Sequence, residues 1–420
     1  MFNTNEFFEP GKLSTILDSQ AGSSGKGCIA SFLCEHADNW QFACNTFMPQ
    51  AGHWVRTDDG SNYFYQTFNS CAYQDKYEKM YMGPGGAIEL PAMWREIEEN
   101  NIPTHKIGIH PLVSILQDRD GAFERGEIDL DGNTIKGEGT MKKGSTCHGV
   151  GVCKARKILR RPDAVLARDI PELKEFICDT EDEIMQRLNA GQAGILEIAQ
   201  GYQLSYLLKS MYPYCTSRNC TVAAGLDDLM IPPIYAGNVL INLRTFPIRI
   251  NSKKFIGADG RHLTWADVQN GVPHTVYEGD SGPGYDDQEE LSWEELTKMS
   301  GSSVDIIECT SVTKLPRRAF TFSQKNLEQA IIHNRTGGTI FLSVNFANYV
   351  DHAIQAVRGT AASGGWFQSH RALGALTPKV AKWLQDNIAP VIAKDFGCNI
   401  VMKYIGTGPL TDDKVVLETS

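Results

Sequence analysis

The sequence predicts an α/β protein: a single large domain around a mostly parallel central sheet, with peripheral helices and loop insertions. Three observations carry this. Short apolar runs alternate with amphipathic stretches along the chain. Several of the runs end in glycine-containing loops, the place where parallel α/β sheets bind ligands. The 420 residues, 42% hydrophobic and 21% charged, are enough for one large core.

The elements follow in order. LSTILD (13–18) is strand-like. A glycine loop follows it, then an apolar-periodic helix from Lys26 to about His36. FACNTF (42–47) is a short strand. Residues 79–100 read as a strand, the turn GPGG and a helix. Residues 107–115 read as another buried strand end. Residues 118–144 are polar and glycine-rich and predict a loop. GILEIAQG (194–201) is a strand and turn, and VLINLRTFPIRI (239–250) a strand. Residues 251–300 are polar and predict a peripheral insertion within a domain spanning 1–420. A helix over 323–334, a buried strand over 339–346 and a helix opened by Thr377-Pro378 come next. NIVMKYIGTGP (399–409) closes the pattern. There is no internal repeat or low-complexity tract.

A net charge of −10 argues against a nonspecific polyanion binder, so no direct nucleic-acid contact is expected. No apolar run approaches a membrane span. The opening MFNTNEFFEPGK lacks a basic segment followed by an apolar one, so a cytoplasmic location is expected. The eleven cysteines form no C-x-x-C and no zinc spacing, and read as reduced.

The chemistry concentrates in SQAGSSGKG (19–27). Backbone N–H groups at a glycine turn and a helix start make an anion site, and lysine adds a point charge. Gly22, Gly25 and Gly27 let the backbone approach a phosphate, and Lys26 supplies the charge. This is not a Walker loop, because no Ser or Thr follows the lysine. The bland alternative is a glycine turn capping a helix. His53 closes PQAGH (49–53) after a strand and could serve a transferring phosphoryl group. His148 in GSTCHGVG (144–151) is its rival. Lys154, Arg156, Arg160 and Arg161 follow that second loop, either as phosphate ligands or as a solvated helix face.

Taken together, SQAGSSGKG, PQAGH, KGSTCHGVG, LEIAQG, YPYCTS, SVTKLPRR and IGTGP resemble the successive signatures of the adenylosuccinate synthetase superfamily, from about residue 13 to 410. That resemblance implies a homodimer that couples L-aspartate to a 6-oxopurine nucleotide. A nucleoside triphosphate phosphorylates the purine O6, and the aspartate amine displaces the phosphate. It implies Ser23, Lys26 and His53 as catalytic residues. Gly25, Lys26, Gly27, Gly52, His53, Asn345, Gly406, Thr407 and Gly408 would bind the phosphate donor. Ser23, Ser24, Gln50, Ser145, Thr146, Gln200, Thr216 and Leu315 would bind the purine monophosphate, and Arg160 would reach it from the partner subunit. Thr313 and Arg317 would hold aspartate. Mg2+ would sit at Ser23 and the Gly52 carbonyl.

Departures from the superfamily pattern point to the substrate. The usual loop is Gly-Asp-Glu-Gly-Lys-Gly, whereas here it is Gly22-Ser23-Ser24-Gly25-Lys26-Gly27. A carboxylate aimed at purine N1 crowds a 2-amino group. A serine is small, and both donates and accepts. The replacement resembles the phage and archaeal branch that makes 2-aminoadenylosuccinate from dGMP, toward diaminopurine DNA. The strand that usually ends in an acid reading the donor's guanine is SVNF (343–346) here, which suits ATP or dATP, with Asn345 at the adenine edge. Leu315 beside the ribose suits a deoxy sugar, with GMP the alternative to dGMP. Two other readings stand beside this one: an ordinary synthetase using IMP and GTP, and an inert nucleotide-binding paralogue.

Overall fold

The computed structural model describes residues 2–135, 146–251, 253–258, 263–278, 280–310, 315–362 and 375–418. Ten strands form one sheet. They are β1 (Leu13–Asp18), β2 (Phe42–Asn45), β3 (Lys79–Met82), β4 (Ile107–Ile109), β5 (Gly194–Gly201), β6 (Ala236–Arg244), β7 (Ile340–Asn345), β8 (Gly359–Ala362), β9 (Ile400–Gly406) and β10 (Lys414–Glu418). Their order across the sheet is β8-β10-β9-β7-β6-β1-β5-β2-β3-β4. Neighbours are parallel except β9 and β10, which are antiparallel.

All of β1 is buried, as expected for a central strand covered on both faces. One large apolar cluster is built on Leu17, Ile241 and Leu342. A second is built on Ile16, Phe32 and Leu240. Alternate residues of β1 and β6 thus feed opposite faces, the period of two that a strand dictates.

Parallel register brings the carboxyl ends of the central strands to one rim. Asp18 is paired with Asn242 on one side and with Gly201 on the other, and Arg244 with Asn345. Three apolar strands therefore end in polar residues on the same edge, and this positions the site.

The structure departs from the expected elements in three places. Residues 118–144 are not all loop, since Asp118–Glu124 forms a helix, opened by Asp120 accepting from the Gln117 amide. Residues 239–250 are not one strand. β6 stops at Arg244, and Ile248–Arg249 joins a separate three-stranded sheet beyond Pro247, which has no N–H for a ladder. Residues 107–115 divide around Pro111 into β4 and the pair Ser114–Ile115. Within 251–300, Lys253–Gly257 pairs with His274–Glu278, and a helix at Trp293–Ser300 places Leu296 in the main core.

Candidate active site

The loop after β1 turns through residues with left-handed backbone: Gly22 (φ +85°), Ser23 (φ +52°) and Gly25 (φ +81°). Gly25 caps the helix Lys26–Glu35, so the helix start faces the rim. The loop rests on the neighbouring strand ends. The Ser24 carbonyl accepts from Asn242 Nδ2 at 2.9 Å and from Asn345 Nδ2 at 2.7 Å. Gln20 exchanges two hydrogen bonds of 3.0 Å with the Arg244 backbone. The cradle is thus a rigid turn with its floor supplied by β6 and β7.

Lys26 is nearly buried. Its Nζ lies 2.9 Å from Asp18 Oδ2 and 2.7 Å from the Gln200 carbonyl. Two of its three donors are spent on these protein acceptors. Asn242 holds the other Asp18 oxygen at 2.8 Å. Gln200 takes a left-handed φ of +64° to present that carbonyl.

His53 begins a hairpin, His53–Arg56 with Asn62–Tyr65, that abuts the phosphate cradle. A Cβ on Gly27 would lie 2.6 Å from the Trp54 carbonyl, so only glycine fits there. His53 is buried and packs on Phe47 with ring centroids 4.2 Å apart. Its Nδ1 lies 2.5 Å from Glu197 Oε1. Glu197, wholly buried on β5, also accepts from the Ser70 amide and hydroxyl, each at 2.9 Å. Burial pushes its carboxyl up, but the His53 proton, the Ser70 amide and the charge of Lys26 outweigh that and hold it below the usual range. A carboxylate at Nδ1 fixes the orientation of the ring and leaves Nε2 as its other hydrogen-bonding nitrogen.

Other residues named from the sequence fall as follows. Gly52 is exposed, and a Cβ there would strike the Phe64 ring at 2.3 Å. Gln50 Nε2 reaches Thr216 Oγ1 at 3.4 Å, bringing those two together, and Gln50 Oε1 is buried without a partner. Thr146 and Arg160 are exposed, Arg160 at the end of the helix Val150–Ile158. Arg317 donates from Nε to the Cys309 carbonyl at 3.2 Å, and burial lowers its pKa. Gly406 and Gly408 lie at close approaches, where a Cβ would meet Asn345 Oδ1 at 2.1 Å and Asp413 Oδ2 at 2.4 Å. Ser145 and Thr313 lie outside the described residues.

Four more of the named residues are engaged inside the protein. Asn345 donates its amide nitrogen to the Ser24 carbonyl and to Asn242 Oδ1, and so supports the cradle. Ser24 is buried with its hydroxyl on the Gly22 carbonyl at 3.2 Å. Thr407 is buried with its hydroxyl, N–H and carbonyl all bonded within the protein. Leu315 is 3% exposed. At the second loop, the start of the helix Val150–Ile158 is already served by Glu124, which accepts from the amides of Gly149 and Gly151. Arg156 is buried between Asp120 and Asp163, so the basic run is partly internal rather than a solvated face.

Sequence reading missed three partners: Glu197 for His53, Asp18 for Lys26 and Asn242 for the loop. Each is a polar residue inside or at the end of an otherwise apolar strand, and that was the available signal.

A parallel sheet whose rim carries a glycine-lysine phosphate cradle beside a buried histidine–carboxylate pair defines a nucleotide-using group-transfer enzyme. No family model matches the chain. It is similar nonetheless, over nearly its whole length, to a phage N6-succino-2-amino-2'-deoxyadenylate synthase and, over little more than half of it, to an adenylosuccinate synthetase. It is 28% identical over 409 residues, 95% of this chain and 96% of the relative, to N6-succino-2-amino-2'-deoxyadenylate synthase of Vibrio phage phiVC8. Adenylosuccinate synthetase of Methanocaldococcus jannaschii is 29% identical over 57% of this chain and 66% of its own length. Among solved structures, the cyanophage S-2L succinoaminodeoxyadenylate synthetase bound to dGMP and dATP superposes with a TM-score of 0.69. It is 26% identical and covers 97% of this chain and 96% of that one.

Proposed function

We propose that this protein is a carbon–nitrogen ligase that joins L-aspartate to C6 of dGMP, through a 6-phosphoryl intermediate made from ATP or dATP. The product is N6-succino-2-amino-deoxyadenylate, a step toward diaminopurine DNA. The observation that carries the reading is Ser23: an exposed hydroxyl, held in a left-handed turn, at the loop position where the superfamily pattern has an acid. The phage relatives named for the 2-amino product support it, as does the cyanophage structure holding dGMP and dATP.

The chemistry runs as follows. The lactam O6 is a poor leaving group, and phosphorylation makes it a good one: the O6–P bond forms as the donor's terminal P–O bond breaks, and the purine N1 proton passes to water or a substrate phosphate oxygen. That step needs positioning and charge neutralisation more than covalent help. The amides of the Gly25–Gly27 turn and the third N–H of Lys26 hold the donor's phosphates. His53, oriented by Glu197, donates from Nε2 to the oxygens gathering at O6 and then to the departing phosphate. Gln50, Thr146, Gln200 and Thr216 hold the monophosphate, and Arg317 offers its fork to an aspartate carboxylate.

Among the described residues no group of three or more His, Cys, Asp or Glu side chains could hold a metal ion. Exposed oxygens at Ser23 and Gly52 suit Mg2+, which takes one or two protein ligands and fills its shell from phosphates and water. When bound, it neutralises phosphate charge.

A homodimer fits the exposed Ile158 (74%) and Leu159 (57%) beside Arg160, an apolar pair suited to a subunit contact. Among the described residues no helix is long and apolar enough to cross a membrane. Soluble nucleotide substrates fit a cytoplasmic setting, that of the host if the chain is phage-encoded.

Phosphate release by purified protein with aspartate, Mg2+ and ATP or dATP tests the reading. Stimulation by dGMP is expected. Stimulation by IMP but not dGMP overturns the substrate, and silence with both overturns the activity. Ser23→Asp is expected to cut kcat/KM for dGMP at least about tenfold, the effect of crowding and repelling the 2-amino edge.

A further inference from the structure

Arg244, the last residue of β6, has no part in the roles above. Its side chain is wholly buried, and such a charge is costly unless paired. Glu308, arriving from a distant segment, pairs with it through both oxygens, Nη1 to Oε2 at 3.2 Å and Nη2 to Oε1. Tyr349 donates to the same Oε1 at 3.0 Å. The guanidinium lies over the Phe346 ring, its Cζ 3.9 Å from the centroid. Gln20 fixes the Arg244 backbone from the other side. Thus immobilised, Nη1 donates to the carbonyl of Ser23 at 2.9 Å. Ser23 is the one non-glycine in the cradle with left-handed backbone, a conformation that costs a serine about 1 kcal/mol. A wholly buried arginine is therefore aimed at the backbone of a non-glycine residue held in a left-handed conformation.

We propose that Arg244, clamped by Glu308, Tyr349 and Phe346, is a positioning residue that holds Ser23 in its left-handed turn and so sets which purine monophosphate the site accepts. The inference rests on the reading that Ser23 stands beside the purine. Arg244 needs no contact with substrate, because the carbonyl carbon it anchors is bonded to the same Cα that bears the hydroxymethyl group, and fixing that backbone fixes where the hydroxyl starts.

The test is steady-state kinetics of Arg244→Lys and Glu308→Gln. Lysine has one nitrogen and cannot span the Ser23 carbonyl and both Glu308 oxygens. Each variant should raise KM for dGMP about tenfold, the scale of one charge-assisted hydrogen bond, with KM for ATP within about twofold. A Ser23→Gly background supplies a second measurement. Glycine adopts the turn unaided, so the Tm drop caused by Arg244→Lys should shrink in that background. If KM for dGMP and ATP rise together, if neither moves, or if the Tm drop is equal in both backgrounds, Arg244 is only structural and the proposal falls. Should Arg244→Lys not fold, Glu308→Gln, which keeps the arginine, decides by the same KM comparison. A wild-type protein that uses IMP and not dGMP defeats the proposed function instead, and the same variants assayed with IMP then test the clamp by itself.

Discussion

Glu197→Gln probes the histidine–carboxylate pair most directly. The two Glu197 oxygens accept three hydrogen bonds, from His53 Nδ1, the Ser70 hydroxyl and the Ser70 amide, in a site without water access. Glutamine offers one acceptor oxygen and one NH2. With the oxygen toward His53, the NH2 faces the Ser70 N–H, donor against donor. With the oxygen toward Ser70, the NH2 faces Nδ1 and forces the other tautomer. Either way a buried donor goes unpaired, which costs about 1–3 kcal/mol of stability. Losing a general acid costs about 10²–10⁴ in rate. Because the hydrogen-bonded frame survives in part, a fall in kcat of about 10²–10³ is expected, or about 2.7–4 kcal/mol of barrier. KM for dGMP and for ATP should stay within a few-fold, since neither contact is to substrate. The assay is coupled ADP release at saturating substrates, with circular dichroism to verify folding. A folded variant with kcat within threefold of wild type would refute the assignment of His53 as the acid.

Lys26→Met removes the partner of Asp18, which is 1% exposed, and leaves a buried carboxylate held by Asn242 alone. A loss of about 3–5 kcal/mol is expected by denaturant titration, with kcat down at least about 100-fold. Gly406→Ala puts a methyl 2.1 Å from Asn345 Oδ1 and must displace the amide beneath Ser24. A Tm lower by several degrees and a KM for ATP raised about tenfold are expected, from an overpacking cost of about 1–3 kcal/mol. Glu96, buried, accepts from the amides of Gln66, Thr67 and Phe68, yet burial pushes its carboxyl up to about 7. A folded pKa above the unfolded one means stability is fully present below the unfolded value of 4.5 and is lost as pH rises to about 7. Wild type should therefore lose up to about 3 kcal/mol relative to Glu96→Gln over that window, read as the difference between their Tm–pH curves.

The sequence makes β1 and the following helix legible because strong local signals agree: an apolar run, a glycine turn, then helical periodicity. The helix Pro378–Asn387 is equally plain, since the capping Thr377 accepts from the Val380 amide and Pro378 opens the first turn. The helix at Asp118–Glu124 escapes notice because Gly121 and three acids hide a short buried face, which forms only against Arg156. The site shows the same division. Glycines and lysine of the cradle sit in one short stretch and can be read there. The pairing of His53 with Glu197 spans 144 residues and that of Arg244 with Glu308 spans 64, so only the folded sheet brings them together. Ser24, Thr407 and Leu315 each stand in a recognisable motif, but their burial is set by neighbours distant in the chain and is not written in the motif.

The double grip on the Ser24 carbonyl has a consequence for engineering donor preference. An aspartate at 345 would set a carboxylate against that carbonyl and against Asn242 Oδ1, three acceptors with no proton among them. Position 345 is therefore closed to an acidic side chain as a means of changing which purine the donor site reads. Such redesign belongs at the open edge, where Trp54 is exposed and the neighbouring Arg56 carbonyl is tied to Thr411 of the loop after β9.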